Sequence, residues 1–286
     1  MIASMTGYGK SILELPEKKI TIEIRSLNSK TLDLNTRIPS FYREKELEIR
    51  NIISEKVQRG KVDFSMQVEL NPAARTQKIN ADLIKQYIAD FKEITPDVSD
   101  ADLLPVVMRM PDVMSYSQDD LSEEEWNAIR ATILEAVDAL NQYRLDEGKV
   151  LERELISYVE KILNYLTQVD PFESERIVTI KERFGKRLDE LKTEIDQNRF
   201  EQEMIYFLEK LDITEEKVRL KNNCEYFIQE IHHADSNGKK LGFISQEIGR
   251  EINTLGSKSN HAEMQKIVVQ MKDELEKIKE QSLNVL

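Results

Sequence analysis

TLDLNTRIPSFYREKELEIRNIISEKVQRGKVDFSMQVEL, Thr31 to Leu70, changes its period twice. Thr31–Ile38 alternates, with Leu32, Leu34, Thr36 and Ile38 on one side, and Pro39 stops it. From Phe41 to Val57 the apolar positions Leu47, Ile49, Ile52, Ile53 and Val57 suit an amphipathic helix. Gly60 after Arg59 is a natural C-cap. Lys61–Leu70 then alternates again, with Val62, Phe64, Met66, Val68 and Leu70 pointing one way. Side chains switch faces at every residue of a strand but return every 3.6 residues on a helix. The stretch therefore predicts strand, helix, strand. Upstream, Ser11–Leu15 and Lys19–Ile24 alternate on either side of Pro16-Glu17-Lys18, a hairpin connection. The resulting β-β-β-α-β order predicts an α+β fold with a mostly antiparallel sheet.

Beyond residue 80 the period is helical almost throughout. Asn80 is placed to cap Ala81–Glu93, and Ser122-Glu123-Glu124-Glu125 forms a capping box ahead of Trp126, Ile129, Ile133, Leu134 and Val137. The pattern runs on to Leu166, breaks at Asp170-Pro171 and restarts after Asp212-Ile213-Thr214-Glu215. At the end, Met264, Val268, Met271, Leu275, Ile278, Ser282 and Val285 step by four and three. Such a heptad seam buries against a partner helix, in the same chain or in a neighbouring subunit. The expected division is an α+β domain with following helices over 1–155 and an all-α, helical or coiled-coil region over 156–286.

Composition narrows the class. Of 286 residues 33% are charged, with only 9 Gly and 7 Pro, which favours a helix-rich chain. No apolar run approaches the ~18 residues of a membrane span, and MIASMTGYGK lacks the pattern of a signal peptide. One cysteine, Cys224, cannot form an intrachain disulfide, so a reducing, cytoplasmic setting is expected. The net charge of −12 argues by itself against a polyanionic partner, but it is unevenly spread. Residues 1–70 balance at +2 and residues 239–260 also at +2, within an otherwise acidic chain.

Both of these stretches hold polar clusters. Arg25, Asn28, Lys30 and Arg37 put donors on and near one hairpin, and Arg59 and Lys61 add two more. Cations with amide donors are what phosphate–sugar contacts require, although charged hairpins also occur simply as solvated surface. In Leu241–Asn260, Leu241, Ile244, Ile248, Ile252 and Leu255 form an apolar stripe, and the other side carries Gln246, Glu247, Arg250, Glu251, Asn253, Thr254, Ser257 and Lys258. Glu247 and Glu251 are i,i+4 and repel unless a cation bridges them. Arg250 supplies one answer, a salt-bridged helix face. A divalent cation with oxygen ligands, Mg or Mn, supplies another. Glu215 and Glu216 read as first-turn carboxylates complementing the helix dipole. His232, His233 and His261 read as surface residues, and SMTGYG, Ser4–Gly9, as a strand edge with close backbone approach.

Several of these segments resemble the YicC/YloC family of bacterial proteins: SMTGYG, IRSLNSKTLDLNTRIP (Ile24–Pro39), RGKVD (Arg59–Asp63), VVMRMPDV (Val106–Val113), Glu147-Gly148, LDITEEKVRL (Leu211–Leu220), LGFISQEIGREINTLGSKS (Leu241–Ser259) and the heptad tail. The match runs in order along the whole chain. It implies a metal-dependent endoribonuclease, assembled as a homohexamer around a channel that takes RNA. Glu247 and Glu251 are then the expected ligands of Mn or Mg. Glu247, Arg250, Glu251, Asn253 and Lys258 are the expected catalytic set, and Arg25, Asn28, Lys30, Arg37, Arg59, Lys61 and Arg109 the expected RNA contacts. Two features depart from the family. Asn223 stands where the family commonly has a His, and the chain ends Leu283-Asn284-Val285-Leu286 rather than Gln-Asn with an acidic residue. The competing expectations are a non-catalytic RNA-binding adaptor, which needs the cations but no paired carboxylates, and an oligomeric scaffold, for which the seam suffices.

Overall fold

A computed structural model describes residues 2–71, 77–116, 121–191, 197–233 and 238–286. Strands β1 (Gly7–Glu14), β2 (Lys18–Leu27), β3 (Leu32–Arg37) and β4 (Gly60–Leu70) form one sheet in the order β1-β2-β4-β3. The first two neighbouring pairs are antiparallel, whereas β3 runs parallel to β4. Parallel neighbours need a crossover, and helix α1 (Glu46–Lys56) supplies it after a 3-10 turn at Ser40–Lys45. Ile49, Ile52 and Ile53 are buried as the spacing requires, but Leu47 is 72% exposed. Gly60 has φ 130°, a backbone region that glycine enters without steric cost.

Helix α2 (Ala81–Ile94), capped by Asn80, packs against α3 (Asp100–Val107), and short strands β5 (Gln77–Ile79) and β6 (Met114–Tyr116) pair beside them. Helix α4 (Glu123–Thr167) is 45 residues long, ~68 Å at 1.5 Å per residue, and Ser122 Oγ accepts the Glu125 N–H at its start. Its first half covers the sheet: Ile129, Ile133 and Leu140 are buried with Ile20, Ile22, Ile24, Val62 and Phe64. The close approach expected of SMTGYG is at this contact, where a Cβ on Gly9 would lie 2.0 Å from the Ala136 carbonyl oxygen.

The second half of α4 carries Leu151, Leu155, Val159 and Ile162 into a separate core. That core is completed by α7 (Thr214–Ile231), α8 (Gly238–Lys258) and α9 (Ala262–Ser282). Residue 155, the expected domain boundary, lies inside this continuous helix. The heptad seam on α9 is buried from Met264 to Val285 and packs on α4 and α8 of the same chain. Helices α5 (Asp170–Leu191) and α6 (Gln197–Leu211) lead from α4 to α7. No helix among the described residues is long and apolar enough to cross a membrane. Cys224 is fully buried between these helices, and burial pushes its thiol up to about 12.

The two ends of the chain are bound together. The Met5 N–H donates to the Asn284 carbonyl (2.8 Å) and the Leu286 N–H to the Ala3 carbonyl (2.8 Å). Asn28 Nδ2 donates to the Leu283 carbonyl (2.8 Å) and Arg59 Nη2 to the Val285 carbonyl (2.9 Å). Asn28 and Arg59, two of the expected RNA contacts, thus also hold the C-terminal segment. A hydrogen bond of this kind contributes ~1 kcal/mol or somewhat more when charged. Arg59→Ala is expected to lower the melting temperature by about 2–4 °C while leaving the salt dependence of RNA binding unchanged. A reduced salt slope would show that Arg59 also meets phosphate.

Candidate active site

Helices α7 and α8 lie antiparallel, and an ion pair marks each end of the seam between them. At one end Lys258 Nζ donates to Glu216 Oε1 and to the Asp212 carbonyl, both at 2.9 Å. At the other, Lys240 Nζ donates to Glu230 Oε2 at 2.7 Å. Asp212 Oδ1 accepts from the Thr214 N–H and hydroxyl, which starts α7 and pulls the Asp212 carboxyl below its ordinary range. Buried Arg176 of α5 donates to the carbonyls of Lys258 (2.9 Å) and Leu211 (2.9 Å), fixing the C-terminal ends of α8 and α6. A cation at a helix C-terminus also complements the dipole.

Within the seam, α8 contributes Glu247 and Glu251 and α7 contributes Glu215, Glu216 and Arg219. Glu247 accepts from Arg250 Nη1 at 2.6 Å, and Arg219 pairs with Glu215. Glu216 is only 6% exposed, and its Oε2 has no hydrogen-bond partner. A buried carboxylate oxygen without a donor costs more than the usual polar group. The Glu251 carboxyl is pushed above its ordinary value, first by burial and then by the charges of Glu216, Glu247 and Glu215, against the pull of Arg219. Carrying the register of the Lys258–Glu216 pair along the seam sets Asn223 level with Glu251, and that of the Lys240–Glu230 pair sets it level with Glu247.

The expected catalytic residues thus separate into two groups. Glu247, Glu251 and Lys258 share the seam-facing stripe of α8. Arg250 is exposed and reaches back to Glu247. Asn253 is exposed and, at ~100° per residue, emerges on the side of α8 turned away from Glu251. Lys258 is engaged by Glu216 rather than free for a phosphate. Glu216, which first-turn electrostatics alone would explain, lies across the seam near enough for its charge to push the Glu251 carboxyl up. Only the pairing of two helices, not the local pattern, reveals it.

The donors of the seam are all oxygens. Among the described residues no three His, Cys, Asp or Glu side chains come together closely enough to enclose a metal ion. The unpartnered Glu216 Oε2 is by its chemistry the kind of donor a hard cation such as Mg or Mn takes, an ion that uses one or two carboxylates and keeps waters and phosphate oxygens for the rest. His232 Nδ1 lies 3.3 Å from Glu152 Oε1 near the other end of α7, and His261 stacks on Phe172 with ring centres 5.3 Å apart rather than standing free on the surface.

The N-terminal cations lie elsewhere. Arg25 and Arg37 line a groove of about 410 Å³ on the face of the sheet opposite α4, together with Glu23 and Asp63. Arg25 sits 5.5 Å over the Tyr8 ring and 3.2 Å from Glu23. Lys30 and Lys61 are exposed, and Arg109 is exposed just beyond α3.

Two family models match the chain, "Endoribonuclease YicC-like, N-terminal region" over residues 2–153 and "Endoribonuclease YicC-like, C-terminal" over residues 169–286. A protein of Clostridioides difficile (strain 630) named "Probable endoribonuclease YicC" is 31% identical over 293 residues, covering all of both chains. One of the same name from Haemophilus influenzae is 28% identical over 291 residues, again covering both completely.

Proposed function

Because the chain belongs to the endoribonuclease YicC-like family, we propose that it is a metal-dependent endoribonuclease, a hydrolase of RNA phosphodiester bonds, whose reacting groups lie in the seam between α7 and α8. The observation that carries this reading is the partnerless buried oxygen of Glu216, together with the negative charge that Glu216 exerts on the Glu251 carboxyl across the seam. Glu251 and Glu216 would hold Mn or Mg, with Glu247 adding negative charge at the outer edge. The ion would supply Lewis-acid stabilisation of charge on the scissile phosphate.

The protein's own groups have distinct tasks. Glu251, with Glu216, would fix the ion beside the scissile phosphate. Lys258 holds Glu216 in one rotamer and is itself held by the carbonyl of Asp212. Arg250 and Arg219 stand at the exposed edge, where a guanidinium grips phosphate oxygens in a bidentate manner. Arg25 and Arg37 on the sheet, with Lys30 and Lys61, guide the RNA chain by its phosphates.

Assembly into a homo-oligomer around an RNA channel is part of the same reading. Apolar side chains left exposed support it: Ile94 is 77% exposed, and Val178, Ile205 and Tyr206 each more than half. The buried α9 seam offers no such support, since it is satisfied within the chain.

The test uses a labelled single-stranded RNA with Mn or with chelator. Cleavage is expected only with the metal. Each of Arg25→Ala and Arg37→Ala is expected to weaken binding and flatten its salt dependence, by ~0.7 in slope per lost phosphate contact. Unchanged cleavage in chelator would remove the metal from the account. Binding without cleavage under every metal condition would favour the adaptor.

A further inference from the structure

The seam-facing stripe of α8 does not end at Glu247. One turn toward the start of the helix, ~5.4 Å along the axis, Phe243 is 56% exposed on the same stripe. Across the seam on α7, Tyr226 is 44% exposed. Two adjacent lysines join these rings: Lys240 Nζ lies 5.7 Å from the centre of the Tyr226 ring and Lys239 Nζ 5.9 Å from that of Phe243. Lys240 also donates to Glu230, so its position beside Tyr226 is fixed. A large exposed aromatic on a helix, flanked by cations and one turn from paired carboxylates, is a poor solvated face. It matches the elements that hold single-stranded nucleic acid, in which π-faces take bases and cations take the phosphates between them.

We infer that Phe243 and Tyr226, with Lys239 and Lys240, form a base-stacking subsite for the unpaired nucleotide next to the scissile phosphate. The inference rests on the seam as the cleavage site for its place along the RNA, but base binding there does not require catalysis. A duplex would present its bases already stacked and leave the two rings uncovered. The subsite therefore sets a preference for single-stranded substrate.

Fluorescence anisotropy measures it without cleavage, in chelator, with a labelled 12-nucleotide uridine RNA and an abasic ribose-phosphate chain of the same length. Phe243 is exposed, so its replacement leaves the core intact, which circular dichroism checks. Phe243→Ala and Phe243→Leu are expected to weaken uridine RNA binding about tenfold. Phe243→Trp is expected to retain it, and wild-type protein is expected to hold the abasic chain no better than Phe243→Ala holds uridine RNA. The protein's single tryptophan, Trp126, is buried in the sheet–α4 core. Any RNA-dependent quenching that appears only in Phe243→Trp reports stacking at that position.

Equal binding of uridine RNA by wild type and Phe243→Ala, or full binding by Phe243→Leu, would overturn the subsite while leaving metal-dependent cleavage untouched. A change of oligomeric mass in Phe243→Ala would overturn it too, by assigning this face to contact between copies. Failure of the wild type to bind RNA at all would remove both readings. Retained cleavage in Glu251→Gln alongside weakened binding in Phe243→Ala would remove only the assignment of the reacting groups.

Discussion

Glu251→Gln is expected to reduce metal-dependent RNA cleavage by at least about 100-fold, since the proposed ion loses a charged ligand and with it several kcal/mol of charge stabilisation, and at the same time to raise the melting temperature at pH 7. The two effects have one cause. The Glu251 carboxyl is pushed up in the folded protein by burial and by Glu216, Glu247 and Glu215. Below the unfolded value, ~4.3 for a glutamate, it is protonated in both states and costs nothing. As pH rises from there through the elevated folded value, the unfolded chain releases its proton first and stability falls. Above that window the cost of the folded charge is fully present, so neutral glutamine relieves it. Melting curves at pH 7 and at pH 4 check the sign: the gain should appear at pH 7 and vanish at pH 4. A variant that is inactive and less stable at pH 7 would show instead that Glu251 braces the helix pair.

Gly9→Ala is expected to be among the most damaging single methyl additions in the chain. Its Cβ would stand 2.0 Å from the Ala136 carbonyl oxygen and 2.7 Å from the Leu140 amide nitrogen, both backbone atoms of α4. Neither can turn aside, so the sheet must lift from the helix that covers its core. Overpacking of a core costs ~1–3 kcal/mol and sometimes more, and contact with rigid backbone puts this site at or beyond the upper end. A fall of about 6 °C or more in melting temperature follows. Gly185→Ala, in α5 with nothing within 4 Å of its added carbon, is the control. It should be neutral or stabilising, since alanine is favoured over glycine by ~1 kcal/mol in a helix interior. Equal effects at the two positions would mean that β1 does not seat on α4 as closely as described.

The elements most legible in the sequence were those whose local period had one explanation. The double switch of period in Thr31–Leu70 gave β3, α1 and β4, and the caps at Asn80 and Ser122 marked true helix starts. Leu47 misled because within α1 it lies two residues from Ile49, about 200° around the helix, and so faces away from the core. The heptad seam predicted burial but not its partner, since spacing carries no address; the partners are α4 and α8. The hold of Asn28 and Arg59 on the C-terminal segment could not be read from the sequence, because their acceptors lie 255 and 226 residues away, beyond any local pattern. In the seam, Glu247 and Glu251 were visible as an i,i+4 pair. Glu216 was hidden behind the helix dipole, which explains a first-turn carboxylate equally well until α8 is laid beside it.

The central claim places a divalent cation between Glu216 and Glu251, and iron-mediated cleavage of the polypeptide tests it most directly. Fe(II) takes the same oxygen-rich coordination as Mn, and with ascorbate and peroxide it cuts the chain beside the position it occupies. The expected cuts fall around residues 215–219 of α7 and 247–251 of α8, are suppressed by excess Mn, and disappear in Glu216→Gln and Glu251→Gln. Cuts at another place in the chain, or the same cuts in both variants, would contradict the account.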